Sequence, residues 1–131
     1  MKITSRTILT IMFCVYLAAV FILCFINGDG MPKVQLTLLG IPADKLAHFC
    51  MFVPYPMLSF LAFRPQEASK RREIMLLCIL AALGVGLAYG TEQLQGLTDY
   101  RSYELADFYA DLTGICFGSL ATLILILFRR R

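Results

Sequence analysis

The chain has 131 residues, 59% of them hydrophobic and 16% charged, with a net charge of +3. That length holds one domain, residues 1–131, and so apolar a composition without long polar tracts excludes an ordinary soluble globule. The positive charge does not point to nucleic acid, because lysine and arginine fall in short clusters beside apolar runs, the pattern of membrane topology signals.

Four stretches are long enough to cross a hydrocarbon core of about 30 Å at about 1.5 Å of rise per helical residue. The first is predicted over residues 7–26. Lys2 and Arg6 precede it as they would in a signal peptide, but the run is too long and FINGDG offers no small-residue cleavage site. It is expected to stay as an anchor. The connection that follows mixes turn residues with an apolar VQLTLLGI segment, too short to span and suited to lie along the interface.

The second span is predicted over 46–63. Asp44 and His48 are four apart at its start and share a face. Asp44 suits an N-cap. His48, near the positive end of a helix dipole, is expected to be neutral, able to donate and accept at once. Taken alone, it reads as a packing residue. Pro54 and Pro56 interrupt this span and deprive the carbonyls of Cys50 and Phe52 of N–H partners, which predicts a kink, with a discontinuous helix beside a cavity as the alternative.

The third span is predicted over 74–90, with Gly86 and Gly90 as a small-residue pair for close helix packing. Beyond it, TEQLQGLTDYRSYELADFYAD carries five acids and one arginine. A charge at mid-membrane costs about 2.5–3.5 kcal/mol on insertion scales, so this stretch is expected to be a connection outside the lipid. Glu92 and Gln95 share a face at the end of the third helix, with Gly96 as its stop. Glu92 there opposes the helix dipole and needs a cation, for which Arg101 is favoured over Lys45 because its planar fork can hold a carboxylate bidentately. Ser102 could cap the next helix, and Glu104 suits its first turn. Asp107, Asp111, Gly114 and Gly118 then follow as one stripe, acidic outside and glycine inside. The fourth span is predicted over 112–128. Tyr100, Tyr103 and Tyr109 suit an interfacial belt, as anchors or as the rim of a pocket.

The fold class is therefore an all-α bundle of four transmembrane helices. Nine of the twelve basic residues, Lys2, Arg6, Arg64, Lys70, Arg71, Arg72, Arg129, Arg130 and Arg131, fall on one side. Both termini and the 64–73 loop are thus expected in the cytoplasm, with 27–45 and 91–111 outside. Five cysteines lie singly in apolar runs, and with one histidine they give no zinc site of converging thiolates or imidazoles. No metal and no cofactor are expected.

The ordered set Asp44-Lys45-x-x-His48-Phe49, Glu92-x-x-Gln95 and Arg101-Ser102-Tyr103-Glu104-x-x-Asp107, with Gly114 and Gly118 behind, resembles the VanZ-like family of small bacterial membrane proteins over residues 44–118. The resemblance implies a multi-pass protein of the bacterial cytoplasmic membrane acting in the cell envelope. It also implies glycopeptide resistance, chiefly tolerance of teicoplanin, and it carries no catalytic assignment. The family usually has asparagine where this chain has Asp111.

Three roles are open to the polar residues. Asp44, Lys45, His48, Glu92, Gln95, Arg101, Asp107 and Asp111 form the expected ligand-binding set, for membrane lipid and a lipid-linked or peptidoglycan-precursor ligand. The alternative is an integral membrane enzyme acting on a lipid-linked phosphate or headgroup, with histidine and carboxylates as acid and base and magnesium held through water. No nucleophile elbow supports it. The third role is structural, an ion network tying two outer connections together, and it can coexist with either.

Overall fold

The computed structural model describes residues 5–25, 37–38, 40–99 and 103–129. Helix α1 runs Ser5–Phe25, and strands β1 (Thr37–Leu38) and β2 (Ile41–Pro42) form a small antiparallel pair. Gly40 turns between them with φ of 79°, a conformation that glycine adopts without steric cost. Helix α2 (Ala43–Phe52) follows at once, then α3 (Tyr55–Phe63), α4 (Lys70–Gln95) and α5 (Leu105–Phe128). Taking α2 and α3 as one span, Ala43–Phe63, the described residues contain four helices long and apolar enough to cross a membrane.

Most side chains of these helices lie outside the core, and the exposed ones include Ile11, Val15, Ile22, Leu83, Phe117 and Leu120. A soluble protein would bury such a surface; lipid makes that unnecessary. Interior contacts are narrow stripes. On α4 the buried positions are Glu73, Leu77, Leu80, Gly84, Ala88, Thr91, Glu92 and Gln95. On α5 they are Asp111, Gly114, Ile115, Gly118, Thr122 and Ile126.

These stripes decide which glycines matter. Gly114 and Gly118 face the backbone of the α2–α3 span, where an added Cβ would collide with the carbonyl oxygens of Phe49 and Val53 respectively. Gly84 receives the ring of Tyr55. Gly86 and Gly90 differ from expectation: a Cβ at either meets nothing within 4 Å. They lie off the inward stripe of α4, so the third span packs through Gly84 instead.

The prolines divide the second span into two helices. Pro54 and Pro56 remove N–H donors, and the carbonyl of Met51, in the last turn before the break, accepts a hydrogen bond from the hydroxyl of Tyr16 on α1. Asp44 is not the N-cap of α2; that position is Pro42, and Asp44 lies inside the first turn. A carboxylate there still faces the positive end of the helix dipole.

The charged stretch is mostly helix rather than connection. Helix α4 continues to Gln95 and α5 begins at Leu105, so Glu92, Asp107 and Asp111 all lie on helices within the spans. Hydropathy ends a span at its first charge, whereas a helix continues wherever its polar side chains turn toward other protein groups. At the opposite end Ser69 caps α4, its side chain accepting from the Arg72 N–H at 3.3 Å. There Lys70 Nζ donates to the Leu127 carbonyl at 2.7 Å, a cation at the negative end of α5, and Glu73 faces Arg129 at 3.6 Å.

Candidate functional site

Successive spans, with α2 and α3 counted as one, run in opposite directions, so the start of α2, the end of α4 and the start of α5 meet at one end of the bundle. His48 lies five residues past the start of α2, about 8 Å into the helix at 1.5 Å per residue. Its ring is 3% exposed and faces three carboxylates from two other helices. Nδ1 is 3.0 Å from Asp111 Oδ1 and 3.6 Å from Glu92 Oε1, and Nε2 is 3.7 Å from Asp107 Oδ2. Only the first distance is a hydrogen bond. With the carboxylate of Asp111 as acceptor, Nδ1–H is the donor, and in the neutral ring the lone pair would lie on Nε2.

Lys45, one turn nearer the helix start, forms the outer layer. Its amine pairs with Asp44, Glu104 and Asp107, linking α2 to the first turn of α5. Asp107 belongs to both layers, with one oxygen on Lys45 and the other toward His48. Asp44 and Glu104 are half exposed, whereas the side chain of Asp107 is 13% exposed.

Glu92 is the anomaly. It is fully buried near the negative end of α4, and neither carboxylate oxygen has a hydrogen-bond partner among the described residues. Asp111 Oδ2 is in the same state. Buried polar groups are normally satisfied, because an orphaned one forfeits its hydration without return. Lys45 does not reach Glu92 but is engaged by Asp44, Glu104 and Asp107. Arg101, the favoured partner, lies outside the described residues, as do Tyr100 and Ser102.

The remaining polar position, Gln95, is buried, and its Nε2 donates to the Cys24 carbonyl at 2.8 Å. Its contact therefore ties the end of α4 to the end of α1. Glu104 is the cluster member that the expected binding set omits. The signal was present in its position three residues before Asp107, on the same helical face. Tyr103 and Tyr109 are exposed beside the cluster, Tyr109 against Phe108 with ring centroids 6.1 Å apart.

An apolar groove of about 460 Å³ opens between α4 and α5, lined among others by Ile74, Leu77, Ala81, Val85, Ile115 and Leu123. It leads from the far half of the bundle toward the polar end. A long hydrocarbon chain suits such a surface, since it offers almost no hydrogen-bonding groups.

Among known proteins, the chain is similar to an uncharacterized protein of the fission yeast Schizosaccharomyces pombe, with 33% identity over 88 residues. The match takes in 67% of this chain and 49% of that protein, so the chain spans about half the length of its relative. No protein-family profile matches the chain, and no solved structure does. The fold and composition define a helical protein with four membrane-span-like segments and a buried acid and histidine cluster near one end.

Proposed function

We propose that the chain is a multi-pass membrane protein of the cell envelope that binds the polar head of a lipid-linked ligand in the cluster formed by α2, α4 and α5. The observation that carries this reading is the orphaned Glu92 carboxylate, fully buried within a membrane-span-like helix. Ionisable groups at such depth are costly to retain without a task or a partner. The apolar groove between α4 and α5 supplies a path for the ligand's chain toward the same end. In this reading the cytoplasm holds both termini and the basic 64–73 loop, and the cluster opens to the other side.

The resemblance to the VanZ-like family supports a reading in which the membrane is the bacterial cytoplasmic one, the ligand is lipid-linked or a peptidoglycan precursor, and the protein contributes to teicoplanin tolerance. The test uses purified chain in detergent micelles with a polyprenyl phosphate as probe, read by native mass spectrometry. A sensitive bacterial host expressing the chain is tested for teicoplanin susceptibility in parallel. Glu92→Gln and Asp107→Asn, matched for membrane abundance, are expected to weaken probe binding at least tenfold and to remove any protection. Binding at wild-type strength in both variants would overturn the reading.

Enzymatic action on a lipid-linked phosphate is the second reading, favoured by the hydrogen bond that orients His48 through Asp111. Release of inorganic phosphate from the same probe separates it from binding alone.

A further inference from the structure

We propose that His48, Glu92 and Asp107 hold a first-row divalent cation, of the zinc or manganese type, between α2, α4 and α5. This deepens the preceding function and rests on the same cluster. One donor atom from each of these residues lies within 4.8 Å of the others. The separations of 3.6 and 3.7 Å from the imidazole to Glu92 and Asp107 are too long for hydrogen bonds. The first runs to Nδ1 and the second to Nε2; the Nε2–Asp107 separation is close to the edge of about 3.4 Å that a tetrahedron has when its metal–ligand bonds are about 2.1 Å.

The unsatisfied atoms point to a cation independently of that spacing. Both oxygens of Glu92 and Oδ2 of Asp111 are buried without hydrogen-bond partners among the described residues, and both side chains face His48. The amine of Lys45 is committed to Asp44, Glu104 and Asp107. A divalent ion offsets the charge of the two carboxylates that would bind it, which reduces the cost of holding them in a surrounding of low dielectric.

The orientation of His48 fits the same role. Its Nδ1–H donates to Asp111 Oδ1 at 3.0 Å, leaving the Nε2 lone pair toward Asp107. Metal-bound histidines commonly donate their other ring N–H to a carboxylate in this way, so Asp111 acts as a positioning residue. One nitrogen and two oxygen donors from the protein leave a position open. That position changes what the pocket can accept. The acids alone repel a phosphate, whereas a cation held among them attracts one.

The experiment uses the full-length chain purified in detergent through a tag without histidines. Bound zinc and manganese are measured by elemental mass spectrometry after equilibration with each ion and desalting. About one ion per chain is expected for the wild type and for Asp99→Asn, which lies outside the cluster. Glu92→Gln and Asp107→Asn should lower affinity at least tenfold, and Asp111→Asn should lower it while retaining a measurable site. Because a variant can fail to fold, the wild type loaded with Mn²⁺ is also examined by pulsed electron paramagnetic resonance for coupling to a ¹⁴N nucleus of His48. Absence of bound ion, or of nitrogen coupling, overturns the proposal.

Polyprenyl phosphate binding is measured with and without EDTA. Ion binding without phosphate binding leaves the metal site standing and removes the lipid-linked function. Phosphate binding of equal strength in EDTA, by a chain free of metal, does the reverse.

Discussion

His48 Nδ1 and Asp111 Oδ1 lie 3.0 Å apart, joining α2 to α5 across 63 positions of sequence. Their contact sits where Gly114 permits α5 to approach the backbone of α2, so the polar pair and the glycine stripe belong to one helix interface.

Replacing Asp111 with alanine leaves the His48 ring N–H without its acceptor and is expected to destabilise the protein by about 1–3 kcal/mol. Asp111→Asn retains a carbonyl acceptor and should cost less. Equilibrium unfolding in mixed detergent micelles measures both, and equal losses would argue against the hydrogen bond as the stabilising feature.

The glycines separate two kinds of position. Gly118→Ala drives a methyl group into the Val53 carbonyl, and Gly114→Ala meets the Phe49 carbonyl, both of them backbone atoms that cannot turn aside. Each is expected to cost about 1–3 kcal/mol through overpacking. Gly86→Ala and Gly90→Ala enter open space and should be neutral or stabilising by up to about 1 kcal/mol through helix propensity. Thermal midpoints of the four variants in one detergent provide the comparison.

Lys45→Met removes the single amine shared by Asp44, Glu104 and Asp107. Since Asp107 is the most enclosed of the three, its loss of a partner should dominate. The expected destabilisation is about 1–2 kcal/mol, reduced from that of a fully buried pair because the lysine is partly exposed. Asp44→Asn should change stability by less than about 0.5 kcal/mol. A double replacement, Lys45→Met with Asp107→Asn, is expected to recover part of the loss when unfolding is measured alongside the single variants.

Tyr16→Phe deletes the hydroxyl that donates to the Met51 carbonyl at the proline break. A loss of about 0.5–1.5 kcal/mol is expected from the hydrogen bond. Faster amide exchange around residues 51–56 in the variant, read by mass spectrometry, would place the effect at the break itself; exchange unchanged there would show that the bond does not hold it.

The four membrane-span-like segments were legible from the sequence because span length and hydropathy are local properties. The stripe of Asp107, Asp111, Gly114 and Gly118 was legible too, since helical periodicity alone places these residues on one face. Periodicity did not say what that face meets. Residues 91–111 read as a connection because the sequence shows charge but not the groups that compensate it; tertiary structure supplied His48 and Lys45 from α2, allowing α4 and α5 to continue through the acids. The same limit applies to α4, where Gly86 and Gly90 have the right spacing for packing and only the rotation of the helix against its neighbours assigns that role to Gly84. Hydropathy and spacing belong to the chain by itself, whereas the partner of a buried charge is fixed by which helix faces it, and that is decided by packing.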